Sequence, residues 1–175
     1  MIDAGKFFCP GPTEVRPEIL DAMRRPLIFH RNAEMEGLVK RSTAVLSQVF
    51  GTKRPVHVLT GSGTSAMEMA IRNGTVHRVL SIVHGDFGER FAKIAEACGR
   101  DVVRLRCEPG DVVSLDQIRD TLKNRPFDAV LATHSETALG VLADIKGIGA
   151  IVRERPDCLF LVDAVSSAGA TAIES

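Results

Sequence analysis

Arg78-Val79-Leu80-Ser81-Ile82-Val83-His84-Gly85-Asp86-Phe87-Gly88-Glu89-Arg90 is the stretch on which the fold turns. Its first six residues are almost continuously apolar, as in a strand buried on both faces. A glycine-flanked loop, His84 to Arg90, follows. A helical pattern then runs from Phe91 to Cys98 and is closed by Gly99. The same succession recurs along the chain. Val56–Thr60 is short, β-branched and bounded by Pro55 and Gly61. Val102–Leu105 is a weaker run, while Ala129–Thr133 and Cys158–Val162 are strong ones. Helical patterns fill the gaps: Ser65–Asn73 before Gly74, a capping box at Ser114 and Gln117 ahead of Ile118 and Leu122, and Ile145–Glu154 before Pro156. This alternation predicts an α/β fold, a mainly parallel sheet with helices on both faces.

The beginning of the chain reads differently. Pro17 suits the first position of a short helix, and Glu34–Phe50 places Leu38, Val45, Leu46 and Val49 on one face before Gly51. The expected organisation is a helical extension over 1–52 and an α/β domain over 53–175, with no internal repeat or low-complexity tract.

Composition narrows the functions. The 175 residues carry 22 Lys plus Arg against 22 Asp plus Glu, a net charge of zero. This argues against a nucleic-acid partner, which usually selects a basic excess. Apolar residues make up 45% and charged residues 25%, as in a soluble globular domain. No run approaches the ~18 apolar residues of a membrane span, and Met1–Lys6 does not open a signal peptide. Cys9, Cys98, Cys107 and Cys158 form no CxxC pair, so neither a zinc ribbon nor a thioredoxin motif is available. Reduced thiols in a cytoplasmic protein are the expectation.

In open α/β sheets, ligands bind beyond the carboxyl ends of the strands. Gly61-Ser62-Gly63-Thr64-Ser65-Ala66 follows the first predicted strand and opens a helix. Glycines that admit close backbone approach, hydroxyl donors and free helix N–H groups make an anion cradle. A plain tight turn is the other reading. Gly-x-Gly-x-x-Ala also fits a dinucleotide fold, in which Asp86 would be the ribose acid. Phe87 sits between two glycines, either against a flat ligand or as an anchor for its loop. His134-Ser135-Glu136-Thr137 groups polar side chains after an apolar strand; His134 and Glu136 have an unspecific spacing for a metal. Asp163, with Val165 two residues on, stands at the mouth of the sheet, where a carboxylate can cap a helix or pair with a protonated pyridine nitrogen. Together these features describe a pocket for a flat, phosphorylated, cationic ring.

At this point the chain resembles the class V aminotransferases of the alanine–glyoxylate and serine–pyruvate type. The matching segments are Pro10-Gly11-Pro12-Thr13 with Val15 and Pro17, His30-Arg31, Gly61 to Thr64 with Ala66-Met67-Glu68, Gly85 to Arg90, Thr133 to Thr137 with Gly140-Val141-Leu142, and Val162 to Ser167, in the family's order. The resemblance implies the large domain of the fold-type-I scaffold and the cofactor pyridoxal 5'-phosphate. It implies that Ser62, Gly63 and Thr64 bind the cofactor phosphate, that Phe87 stacks on the ring, and that Val165 packs on the other face. Thr137 would bond near the phenolic oxygen, Asp163 would pair with the ring nitrogen, and Pro10, Gly11 and Pro12 would line the substrate pocket. Ala138 and Leu139 depart from the Ser and Thr frequent there.

The implied activity is transfer of an amino group from alanine or serine to glyoxylate or pyruvate, by a homodimer in the complete enzyme. The family's Schiff-base lysine lies roughly twenty-five residues past the strand-five aspartate. Lys6, Lys40, Lys53, Lys93, Lys123 and Lys146 all precede Asp163, so none matches it. The expectation is an N-terminal half, without the C-terminal part and small domain, that is inactive by itself. Other fold-type-I enzymes, a cysteine desulfurase-like enzyme or a phosphonate aminotransferase, are alternatives; a desulfurase is disfavoured because it typically has His at the position of Phe87. A nicotinamide-binding Rossmann protein and a catalytically dead binding protein are the further rivals.

Overall fold

The computed structural model describes residues 7–171, in two compact units that divide between His57 and Val58. Met1 to Lys6, and with them the reading of the extreme N-terminus, lie outside the described residues.

The first unit holds helices α1 (Pro17–Met23) and α2 (Ala33–Val49). Pro17 opens α1, where its missing N–H costs no helical bond. The Asn32 side chain caps α2 by accepting from Met35 N–H at 2.9 Å. Gly51, at φ 58°, takes the left-handed turn that ends it.

The second unit is a four-stranded parallel sheet wrapped by helices. In chain order it contains α3 (Gly63–Gly74), β1 (Arg78–Val83), α4 (Asp86–Ala97), β2 (Asp101–Arg106), α5 (Leu115–Lys123) and β3 (Ala129–Thr133). There follow a small hairpin of β4 (Ser135–Glu136) and β5 (Val141–Leu142), then α6 (Ile145–Arg153) and β6 (Leu159–Asp163). The strand order is β2-β1-β3-β6, with Leu80 opposite Val103 and Val130, and Thr133 opposite Asp163.

The near-continuous apolar runs of β1 and β3 have a direct cause. Alternate side chains go to opposite faces, and both faces are covered. Leu80, Ile82, Val130 and Ala132 pack with Ile118, Leu122, Ile148 and Ile151 from α5 and α6. Val79, Ala129 and Leu131 pack with Met67, Ile71, Phe91 and Ala95 from α3 and α4. At the amino end of the sheet, the Asp128 carboxylate accepts from Val76, His77 and Arg78 N–H and ties β3 to β1. Burial pushes its pKa up, but these bonds outweigh that and hold it below the ordinary value. On the edge strand, Arg104 bonds Glu96 and Glu89, and Arg106 bonds Glu89. An edge laced with charge resists pairing with other chains.

Three expectations need correction. Val56–Thr60 forms no strand: no described strand lies beside it, and Val58 and Leu59 are exposed. A strand is held by ladder hydrogen bonds to a neighbour, which intrinsic propensity does not supply. The loop expected over His84–Arg90 is mostly helix, since α4 already starts at Asp86. Likewise α3 starts at Gly63 rather than Ser65, so the glycine-rich segment is itself the first helical turn.

Candidate cofactor site

The carboxyl ends of β1, β3 and β6 and the N-terminus of α3 carry the candidate residues. Ser62 is the N-cap of α3: its Oγ accepts from Ser65 N–H at 3.3 Å and lies 3.2 Å from Ser65 Oγ. A helix N-terminus collects N–H groups without intrahelical acceptors, and its macrodipole favours an anion. Gly63 is the first helical residue and Thr64 is exposed beside it. A Cβ on Gly63 would lie 2.7 Å from Val165 Cγ2, so the start of α3 and the segment after β6 abut at this glycine.

Asp163 ends β6 and is 9% exposed. Its Oδ1 accepts from Val165 N–H at 3.1 Å, and its other oxygen has no donor among the described residues. His134 N–H donates to the Asp163 carbonyl at 2.9 Å, which joins the segment after β3 to the end of β6. Burial lowers the His134 pKa. Across the sheet from Asp163, the buried Thr133 hydroxyl has no hydrogen-bond partner among the described residues. A buried hydroxyl left unpaired beside a carboxylate marks a place where structure has been kept for something other than stability.

Phe87 is half-buried in the first turn of α4, with the Arg90 guanidinium 4.9 Å from its ring centroid. Thr137 follows β4 and is half-buried. Between them lies Glu136, fully buried, whose Oε2 accepts from Phe87 N–H at 3.0 Å and Gly88 N–H at 3.1 Å. Considered in the sequence only as a weak metal ligand, Glu136 instead caps α4. Its partners lie 49 and 48 residues away, a separation at which spacing carries no signal. His84 is buried next to this cap; its Nε2 accepts from Val113 N–H at 3.1 Å. Burial lowers its pKa, opposed by the Glu136 charge. Asp86 is the first, exposed residue of α4, three residues past the end of β1, not the acid that ends a strand in a dinucleotide site.

Ser62, Gly63 and Thr64 at the start of α3, Phe87 in the first turn of α4, Thr137 after β4, and Asp163 and Val165 at and after the end of β6 all lie in the second unit, where Gly63 meets Val165 and Glu136 joins Phe87 to the segment of Thr137. Pro10, Gly11 and Pro12 are exposed residues of the first unit, with a cis Gly11–Pro12 bond. The described lysines occupy other places: Lys40 in α2, Lys93 in α4, Lys123 at the end of α5, Lys146 in α6, and Lys53 ahead of the second unit. Lys6 lies outside the described residues. No described helix is long and apolar enough to cross a membrane.

The second unit thus combines a parallel sheet, a Ser62-capped helix start and a carboxylate, Asp163, at the sheet's carboxyl edge. Residues 7–174 match the aminotransferase class-V family, and the chain belongs to it. An uncharacterized aminotransferase of Methanocaldococcus jannaschii is 42% identical over 173 residues, which are 96% of this chain and 45% of that one. The structure of an alanine–glyoxylate aminotransferase from Nostoc superposes with a TM-score of 0.87 at 32% identity, over 92% of this chain and 43% of that one. That of a subgroup IV aspartate aminotransferase from Thermus thermophilus gives 0.84 at 34%, over 91% and 46%. The architecture is therefore that of the fold-type-I pyridoxal-phosphate aminotransferases. The chain spans about half the length of the relatives it matches.

Proposed function

We propose that this chain supplies the N-terminal, cofactor-binding half of a transaminase that uses pyridoxal 5'-phosphate. It would move an amino group between a small amino acid, alanine or serine, and a 2-oxo acid, glyoxylate or pyruvate. The observation that carries the reading is Asp163: a nearly buried carboxylate at a strand end, with one oxygen bonded to Val165 N–H and the other without a donor among the described residues. That oxygen is open to a ligand, and a cationic donor makes the strongest hydrogen bond a carboxylate can accept. A protonated pyridine nitrogen is such a donor. The Ser62-capped helix start fits the phosphate of the same ligand.

When bound, the cofactor supplies an electron sink for carbanion chemistry at the substrate's α-carbon. The chain's own residues do the holding. Ser62, Gly63 and Thr64 bind the phosphate at the α3 N-terminus. Asp163 keeps the ring nitrogen protonated. Phe87 and Val165 cover the two ring faces, and Thr137 donates near the phenolic oxygen. Pro10, Gly11 and Pro12 line the substrate pocket in this reading. In this reading the 175 residues by themselves are inactive, because Lys6, Lys40, Lys53, Lys93, Lys123 and Lys146 all precede Asp163, and the complete enzyme would be a cytoplasmic homodimer. The likeness to the Thermus aspartate enzyme makes a dicarboxylic donor the second reading for the substrate.

The test is a visible absorption spectrum with pyridoxal phosphate, before and after borohydride, on the 175-residue chain and on the product of its coding frame extended past Ser175. The reading expects a stoichiometric, borohydride-sensitive band and alanine–glyoxylate transamination only in the extended product. A reducible band on one lysine of the short chain would overturn its inactivity. Absence of cofactor binding in both would overturn the whole reading.

A further inference from the structure

We propose that Glu136 is a positioning residue for the cofactor ring, tying the segment that bears Thr137 to the helix that bears Phe87. The inference rests on the proposed roles of those two residues. Glu136 is the largest fully buried ionisable side chain of the second unit, and its bonds are divided between two elements. Oε2 takes both Phe87 N–H and Gly88 N–H from α4, while Oε1 takes Ala138 N–H, at 3.4 Å, from its own segment. The neighbouring residue on one side of this link is Thr137; on the other the bonded residue is Phe87 itself. One carboxylate therefore sets the separation between a hydroxyl and an aromatic plate that would meet the same ring.

Three features make the link rigid. Glu136 belongs to β4, paired with Val141 of β5, so its backbone is held from behind. Gly85 leaves no slack in front: a Cβ there would lie 2.7 Å from Glu136 Cγ and 2.8 Å from Cδ. Gly85 has an extended φ that any residue adopts, so close approach to Glu136 is what its small size serves. Behind α4, a Cβ on Gly88 would lie 3.1 Å from the Ile82 carbonyl, which seats the helix start on β1. Charge adds direction, because an ionised carboxylate at a helix N-terminus makes stronger bonds than a neutral acceptor. A purely structural cap could be met locally, as Ser114 and Asn32 do for their own helices. This helix draws its cap from 49 residues away instead.

The test compares wild type, Glu136→Gln, Glu136→Ala and Gly85→Ala in the full-length enzyme. It reads amide hydrogen exchange at Phe87 and Gly88, the pyridoxal phosphate Kd, and the induced circular dichroism of the bound chromophore. Glu136→Ala is expected to release both amides, weaken cofactor binding at least tenfold and change the dichroic band. Glu136→Gln, which keeps one acceptor, should fall between. Gly85→Ala, which crowds the carboxylate while leaving it in place, should reproduce the spectral change and carries the test if Glu136→Ala does not fold. Freed amides with unchanged Kd and dichroism would overturn the inference and leave Glu136 a structural cap. Protected amides in a wild type that binds no pyridoxal phosphate would overturn the proposed function, and this inference with it.

Discussion

Gly63 and Val165 lie so close that a single methyl group on the glycine would collide with the valine, 2.7 Å from its Cγ2. The first helical residue after Ser62 and the second residue after Asp163 are thus locked in contact. Val165 is 71% exposed, so it can move aside at little energetic cost. Gly63→Ala should therefore lower stability by no more than about 1 kcal/mol. It should nonetheless weaken pyridoxal phosphate binding severalfold, because the valine swings away from the ring it would cover. Equal Kd values for mutant and wild type, from cofactor titration, would contradict this.

Asp163→Asn keeps an oxygen for Val165 N–H but removes the charge. The melting temperature should change little, since the amide oxygen of Asn still accepts from Val165 N–H. Transaminase kcat in the full-length enzyme should fall about 10- to 100-fold, the effect of losing a charged hydrogen bond worth roughly 1.5–3 kcal/mol. Steady-state kinetics beside a thermal melt separates the two effects. A large loss of stability with unchanged kcat would make Asp163 a structural residue.

Asp128 accepts N–H bonds from Val76, His77 and Arg78, far from the candidate site. Asp128→Ala strands three donors, of which Arg78's is half-buried, at a cost of about 2 kcal/mol. For a domain of this size that is a fall in Tm of roughly 4–8 °C. Cofactor affinity of the folded fraction should not change. Because the bonds hold the Asp128 pKa below its ordinary value of 3.8, their stabilisation is present above about pH 4 and is lost as pH falls through the lower, folded value.

Histidine protonation dominates at milder acidity. Burial holds His84 and His134 below the ordinary value of 6.5, so the unfolded chain binds protons that the folded chain refuses. Stability from both is complete above about pH 6.5 and is lost as pH falls below it. Glu136, the charge that opposes the shift at His84, moderates the loss there. Melts from pH 7.5 to 5 should show Tm declining, with a shallower decline in His84→Gln, which retains an acceptor for Val113 N–H. Identical slopes would remove His84 from the account.

How much of this was legible in the chain follows the range of the interactions. Helix ends were readable because caps act over three or four residues: Ser114 with Gln117, and Gly51 at a positive φ. The buried strands were readable because burial on two faces leaves a run of apolar side chains, as in Ala129–Thr133. Candidate site residues such as Asp163 and Phe87 could be nominated because a parallel sheet delivers every strand's carboxyl end to one edge.

Val56–Thr60 shows the limit. Its residues favour extended backbone, yet a strand needs a partner, and partners are assigned by tertiary contact. The order β2-β1-β3-β6 was equally unreadable, since each neighbour is chosen by crossovers that the local pattern does not encode. Glu136 is the clearest case. Beside His134 and Thr137 it reads as one more polar loop residue; only folding brings it onto Phe87 and Gly88. By itself the sequence determined the α/β class and the helix boundaries set by caps, because each depends on neighbours in the chain. Which strands pair, where α4 begins, and which carboxylate holds it were decided only in the tertiary structure, where hydrogen bonds join residues some fifty positions apart.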